Sequence, residues 1–116
     1  MLHKKLPEKL SPHWALLSGS RPNADHCFKS DNLQVIYNCA DKSWSDTTEH
    51  YHTDSDEIYI VLEGAMNINV SGNPVCVSAG EYLCVPKHEK HQLISVVVPH
   101  KSFVIRGPSI QDKVIT

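Results

Sequence analysis

The chain has 116 residues, of which 41% are hydrophobic, a size that suits one compact domain with a buried core and leaves no room for a second. Its formal net charge of -2 comes from 11 basic and 13 acidic residues scattered along the sequence, which excludes the broad cationic surface that binds nucleic acid. No stretch approaches the roughly 18 apolar residues of a membrane span, and the opening residues lack the apolar core of a signal peptide. We therefore expect a cytoplasmic protein that binds neither nucleic acid nor a membrane.

Residues 1–32 are rich in turn-forming residues and show poor periodicity. Prolines such as Pro12 and Pro22 favour extended pieces of chain over long regular elements. A short helix over Leu6 to Leu10 is the alternative. We expect this N-terminal extension to pack outside a barrel formed by residues 33–116 and to contribute to a subunit interface.

From residue 33 onward, short runs of β-branched and aromatic residues alternate with turn residues, and no long 3.6-residue period appears. Runs spaced in this way predict an all-β fold of the sandwich or barrel type. The predicted strands are Leu33 to Cys39, Ile58 to Leu62, Ala65 to Val70, Val75 to Val77, Tyr82 to Val85, Leu93 to Val98 and Phe103 to Ile105. The predicted turns lie at residues 54–56, 63–64, 71–74 and 79–80.

The second predicted strand is apolar on both faces. If Glu57 and Tyr59 point inward, side-chain alternation places Ile58, Ile60 and Leu62 on the outer face. A sheet that is apolar on both faces is usually buried on both. We therefore expect the N-terminal extension and a second subunit, in a homodimer, to cover this outer row.

The same alternation applies to the strand after His91. It places Leu93 and Val97 on the inner face with His91, and Ile94 and Val96 on the opposite face. This second strand is also apolar on both sides, which strengthens the expectation of a covered outer face.

The four cysteines, at positions 27, 39, 76 and 84, have no Cys-x-x-Cys spacing that would indicate a metal or redox motif. A chain of this length also folds without the disulfides on which very small secreted domains depend. We expect four buried, reduced thiols, in keeping with a cytoplasmic protein.

The most informative segment is residues 49–57, in which two histidines precede a predicted turn and a carboxylate follows it. Positions i and i+2 of a strand face the same side, so His50 and His52 can present both imidazoles to one point. A tight turn is expected to bring Glu57 back on the neighbouring strand. His91, at the start of a later strand, can add a third imidazole.

These four side chains offer the nitrogen and oxygen donors that divalent first-row metals prefer, and they leave up to two coordination positions open. Three neutral imidazoles and one carboxylate around a divalent ion give a net charge of about plus one, which attracts an anionic or chelating oxygen ligand. The donor set suits iron, manganese, nickel, zinc or copper. The alternative for His50 and His52 taken alone is a metal-free pair on an exposed strand.

The spacing of these residues resembles that of the cupin superfamily, whose two motifs read G-x5-H-x-H-x3/4-E-x6-G and G-x5-P-x-G-x2-H-x3-N. The matching residues are His50, His52, Glu57 and Gly64 in the first motif and Gly80, Pro86 and His91 in the second. The resemblance covers residues 33–105. It implies a double-stranded β-helix, the jelly-roll barrel of the cupins, with a metal bound by His50, His52, Glu57 and His91.

Three positions depart from the motifs. Trp44 and His88 replace glycines, and Ser95 replaces the closing asparagine, but none of the three is a motif ligand. If the turn at His88 needs a positive φ, histidine tolerates it better than a branched residue does. We expect His88 to be a turn residue and not a further ligand.

The resemblance implies two classes of function. The first is a small-molecule metalloenzyme of the dioxygenase, isomerase or lyase type, acting on a small polar or anionic substrate with Glu57 and Tyr59 as candidate catalytic residues. In that role Tyr59 donates a hydrogen bond or serves as a phenolate base, whereas its alternative role is that of a core aromatic. The second class is a non-catalytic cupin that binds or senses a small ligand around a structural metal.

Overall fold

The computed structural model describes residues 1–20 and 27–116. Within these ranges the chain forms nine strands and no helix, so the all-β prediction is confirmed and the alternative helix over Leu6 to Leu10 is wrong. No helix in the described ranges has the length and apolarity to cross a membrane. Pro22 lies outside the described residues. The strands are β1 (Trp14–Gly19), β2 (Phe28–Lys29), β3 (Gln34–Ala40), β4 (His50–His52), β5 (Asp56–Val70), β6 (Asn73–Ser78), β7 (Tyr82–Val85), β8 (His91–Gly107) and β9 (Lys113–Ile115).

Two long antiparallel strands, β5 and β8, organise the fold because each takes part in two sheet regions. At one end of this pair, the strands of the sheet region are ordered β7-β5-β8-β3-β1-β2. At the other end, they are ordered β6-β5-β8-β4-β9. The two regions enclose one apolar core, so the arrangement is the jelly-roll barrel that the motifs imply. The buried core residues are Tyr59, Val61, Met66, Ile68, Val77, Val85, Leu93 and Val96.

Gly64 marks the bend at which β5 passes from one sheet region to the other. The predicted turn at residues 63–64 is wrong, because β5 continues through it as a single strand. Gly64 has φ +76°, and a Cβ there would lie 2.1 Å from the Val97 carbonyl oxygen and 2.7 Å from that of Pro99. The strand therefore needs glycine both for its backbone angle and for the close approach of β8.

The burial pattern of β8 changes phase after Leu93. Asn67 and Ile68 of β5 are consecutive, but their partners in β8 are Ser95 and Leu93, so β8 carries one extra residue, Ile94. Such a bulge shifts the inward-facing positions by one. Leu93 and Val96 are buried while Val97 is 52% exposed, so the predicted inner position of Val97 is wrong.

The N-terminal extension joins the barrel along β3. Strand β1 pairs antiparallel with β3, and Cys39 of β3 donates from its Sγ to the Glu8 carbonyl over 3.6 Å. The outer row that alternation predicts is present, because Glu57 and Tyr59 are buried while Leu62 is 50% exposed. The division of the chain at residue 33 stays a prediction.

All four cysteines lie in the described residues, and each is a thiol rather than half of a disulfide. Cys27 and Cys39 are only half-buried, and the predicted burial is wrong for Cys76 and Cys84, which are exposed. They lie on β6 and β7, where alternation gives the inward positions to Val77 and Val85. The cytoplasmic location stays a prediction.

Candidate metal centre

Three histidines meet at one end of the barrel core. His50 of β4 is the direct cross-strand partner of His91 of β8, and their ring centroids lie 4.4 Å apart. His52 follows His50 by two residues on the same face of β4, as its spacing predicts. One ring nitrogen from each of the three lies within 4.8 Å of the other two, and all three residues are buried.

Glu57 reaches this cluster from the opposite sheet region. The tight hairpin expected between His52 and Glu57 is wrong, because β4 pairs with β8 and β9, whereas the start of β5 pairs with β7 and β8. Residues 53–55 instead cross from one sheet region to the other. Glu57 Oε1 lies 3.0 Å from His91 Nε2, and Glu57 Oε2 lies 3.7 Å from His52 Nε2.

Hydrogen bonds orient each imidazole through its Nδ1 atom. The acceptors are the Thr48 carbonyl for His50 (3.2 Å), the Glu89 carbonyl for His91 (2.9 Å) and the Asp112 carboxylate for His52 (2.9 Å). Because these oxygens accept, Nδ1 carries the proton, and in a neutral ring Nε2 keeps its lone pair. Protein metal sites orient their histidine ligands in the same way.

The donor set fits a divalent metal ion. Two ligands of one ion, with bonds of about 2.1 Å, lie roughly 3–4 Å apart, and the three ring nitrogens, all within 4.8 Å of one another, come close to that spacing. The Glu57 carboxylate faces two of the rings. Imidazole and carboxylate donors suit zinc, iron, nickel, copper and manganese. The arrangement is thus compatible with a metal site and does not select the metal.

The charges inside the cluster are coupled. Burial by itself raises the pKa of the Glu57 carboxyl, but the hydrogen bond and the charge of His91 and the hydrogen bond from Tyr59 lower it overall. The same interaction with Glu57 outweighs burial and raises the pKa of His91. For His50, burial dominates and lowers the pKa, which favours a neutral ring. The cluster thus combines a charged carboxylate with at least one ring kept neutral by burial.

Tyr59 lies beside Glu57 as its spacing predicts. Its hydroxyl donates to Glu57 Oε1 over 2.6 Å, and its side chain is part of the apolar core. Burial and the adjacent Glu57 charge raise the pKa of the Tyr59 phenol well above its ordinary value. The phenol is therefore a proton donor at neutral pH.

Two further residues of the site have no motif signal in the sequence. Arg106 is the cross-strand neighbour of Glu57, and its Nη1 donates to Asp112 Oδ1 over 2.7 Å. Side-chain alternation along β8 indicates that Arg106 faces inward with Val104, and this alternation is the sequence feature from which its place in the site could be predicted. Asp112 comes from the segment before β9, far from the histidines in sequence, and no spacing rule indicates it.

A pocket of about 600 Å³ opens from the cluster. Its apolar wall includes Ile36, Met66, Leu93 and Val104, and its polar wall includes Gln34, Asn38, Arg106, Gln111 and Lys113. The pocket also contains His50, His52, Glu57 and Tyr59, so the candidate catalytic residues share one cavity. His88 lies outside it on an exposed turn with φ +72°, as expected for a turn residue.

Solved structures of similar fold come from several proteins. The chain is similar to the Streptomyces nucleoside dehydratase Pac13, with 13% identity and a TM-score of 0.63 over 75% of this chain and 70% of that one. The lyase DddQ from Ruegeria pomeroyi, which acts on DMSP, is 21% identical with a TM-score of 0.68 over 97% of this chain and 56% of that one. KdgF from Halomonas sp. is 22% identical with a TM-score of 0.59 over 68% and 72%. At these identities the likeness shows the fold alone.

Sequence comparison identifies the family directly. No curated protein is similar in sequence at a significant level. The family model for the cupin domain matches residues 40–97, half of the chain, and the match contains His50, His52, Glu57, Gly64 and His91. With the jelly-roll barrel and the histidine cluster in place, the chain belongs to the cupin family.

Proposed function

We propose that this cupin is a metal-dependent enzyme that acts on a small polar or anionic molecule. The observation that carries the proposal is the convergence of three buried imidazoles and one carboxylate at a pocket of about 600 Å³. Such a cavity has the size of a small-molecule site. The ligands would be His50, His52, Glu57 and His91, and the metal one of iron, manganese, nickel, zinc and copper.

The polar wall of the pocket supports an anionic substrate. Lys113 lies on this wall, and none of the described carboxylates forms an ion pair with it. Its charge and that of His91 add to burial in lowering the pKa of His50, so Lys113 acts electrostatically on the cluster. A substrate carboxylate or phosphate beside Lys113 would compensate this charge. A divalent ion at the cluster would supply Lewis-acid polarisation of a substrate oxygen.

Other residues of the pocket have separate roles in the proposed reaction. Glu57 holds a negative charge between the rings of His52 and His91, and the Tyr59 hydroxyl donates a hydrogen bond to the same carboxylate. The high pKa of the phenol suits a proton donor better than a phenolate base. The apolar wall around Met66 and Leu93 would shield one side of the reacting group from water.

A variant Tyr59→Phe tests the catalytic role of the phenol. Removal of the hydroxyl leaves the ring in the core and takes one hydrogen bond from Glu57. We expect turnover to fall about 100-fold or more, the size of a general acid contribution, with the metal content unchanged. Steady-state kinetics with the substrate found by screening, together with metal analysis, measure both quantities. Wild-type turnover in the variant would assign Tyr59 to the core alone.

The known activities of similar structures give the screen its starting point. Solved neighbours include a nucleoside dehydratase, with structures of three variants that contain uridine, a DMSP lyase, and a putative mannose-6-phosphate isomerase from Ralstonia eutropha. The experiment is elemental analysis of the purified protein, followed by turnover assays with small polar and anionic substrates of these classes under each candidate metal. Turnover of any of these substrates would support the proposal that the protein is an enzyme. Bound metal without turnover across the panel favours a binding or sensing cupin, and absence of metal binding rejects the site.

We also propose that the outer sheet face is covered by a second copy of the chain. This face is apolar because the outward-facing apolar residues of β5 pair directly with apolar residues on the two neighbouring strands, β7 and β8. The residues are Tyr82, Ile58, Ile60, Phe103 and Ile105, with Tyr82 71% exposed. Burial of such a face between two copies is favourable. A solution mass measurement at micromolar concentration should give a dimer, and a clean monomer would contradict it.

A further inference from the structure

The C-terminal segment enters the candidate metal centre through Asp112. This residue precedes β9 and is 7% exposed. Its Oδ1 accepts from His52 Nδ1 over 2.9 Å and from Arg106 Nη1 over 2.7 Å. Its Oδ2 accepts from the backbone N–H groups of Asp54 and Ser55, each over 2.9 Å. Four donors from three parts of the chain thus fix one carboxylate.

The same segment also fixes the strand that carries two of the histidines. Strand β4 pairs with β8 at one position, whereas β9 pairs with β4 at all three of its residues. Beyond the ladder, the Thr53 N–H donates to the Asp112 carbonyl over 3.2 Å, and the Thr116 N–H donates to the Glu49 carbonyl over 3.2 Å. The register of β4 therefore depends on the last residues of the chain. A slip by one residue would turn both imidazoles away from the pocket.

We propose that Asp112 is the positioning residue of the metal site. It holds the proton of His52 on Nδ1 and so directs the Nε2 lone pair at the position between His50, His91 and Glu57. Carboxylates that accept from the outer nitrogen of a ligand histidine fix its tautomer and strengthen metal binding in known sites. This role rests on the proposed metal-dependent function. It extends the site to a residue that contacts no metal and to the C-terminal strand that presents it.

The variant Asp112→Asn tests this role because it changes the hydrogen-bonding pattern with little change of shape. The backbone N–H groups of Asp54 and Ser55 keep their positions, so we expect the amide oxygen to face them. The Arg106 guanidinium, which donates to Oδ1 in the wild type, can turn away because it also donates to the Ile110 carbonyl and to Gln34. The amide NH2 then faces His52, where the carboxylate accepted before. Two donors oppose each other unless the imidazole proton moves to Nε2. That tautomer has no lone pair directed at the metal.

Two measurements on the full chain follow. Competition with a chromophoric chelator should show that Asp112→Asn weakens Zn²⁺ binding by about 10–100-fold, and Asp112→Glu should recover part of that loss. Nitrogen NMR of the histidine rings in the metal-free protein should place the His52 proton on Nδ1 in the wild type and on Nε2 in Asp112→Asn. The matched control is Asp54→Asn, which removes the same charge from an exposed carboxylate bonded to Thr53 Oγ1. It should change neither quantity.

The outcomes separate this inference from the proposed function. Equal Zn²⁺ affinity in the wild type and Asp112→Asn overturns the role of Asp112 and leaves the metal site standing. A wild type that binds no Zn²⁺ or other candidate metal overturns the metal site and the role inferred from it. If Asp112→Asn does not fold, the wild-type spectrum decides, because a His52 proton on Nε2 there contradicts the inference.

Discussion

The variant His52→Ala is expected to lose its bound metal while the barrel remains folded. Structural Zn²⁺ sites bind their ion with a free energy of about 10–16 kcal/mol, so an equal share for one of four ligands is roughly 2.5–4 kcal/mol, and its loss weakens binding about 70-fold or more. Asp112 keeps Arg106 and two backbone N–H groups as partners when the ring is gone, so no buried charge is left alone. Turnover should fall with the metal content.

The measurement is metal content after gel filtration, together with the thermal midpoint with and without added Zn²⁺. Metal that binds the folded state raises the midpoint of the wild type, and this rise should disappear in His52→Ala. His88→Gly is the matched control, because it removes an exposed histidine whose φ of +72° suits glycine. The control should bind metal like the wild type. Full metal content in His52→Ala would contradict the ligand assignment.

The variant Gly64→Ala is expected to cause the largest loss of stability of any single methyl addition at a glycine of this chain. The new Cβ would lie 2.1 Å from the Val97 carbonyl oxygen, and the φ of +76° disfavours any side chain. Both contacts are with backbone, so β5 and β8 would have to separate at their bend. We expect a loss of about 4 kcal/mol or more in the free energy of unfolding, measured by urea denaturation.

Gly80→Ala provides the control for backbone angle alone. Gly80 has φ +86°, but a Cβ there meets nothing within 4 Å. The variant Gly80→Ala should therefore lose about 1–2 kcal/mol of its free energy of unfolding, the ordinary cost of a left-handed conformation for a residue with a side chain. If both variants lose the same free energy of unfolding, the close approach of β8 does not explain why position 64 needs a glycine.

The parts of the fold that local periodicity controls could be predicted from the sequence. The alternation of side chains placed His50 with His52 and Glu57 with Tyr59 on common inner faces, and both pairs lie there. The same reasoning gave β7 its observed bounds. These predictions needed no knowledge of which strands pair, because a period of two is a property of one strand.

The parts that depend on pairing could not be predicted in the same way. The bulge at Ile94 exists because β8 has one residue more than β5 between two paired positions, and no residue in the run signals it. The turn residues after His52 predict a hairpin that carries Glu57, but Glu57 lies on a strand of the other sheet region. Asp112 was missed because its partner His52 lies 60 residues earlier in the chain.

The origin of the four candidate ligands has a mechanical consequence for the barrel. Glu57 belongs to one sheet region, whereas His50, His52 and His91 belong to the other. An ion bound by all four would act as a removable cross-link across the open end of the barrel, while the bend at Gly64 joins the sheets through the backbone at the other. Without the ion, opening of the barrel would begin at this end, so metal supply would determine how often the two layers separate.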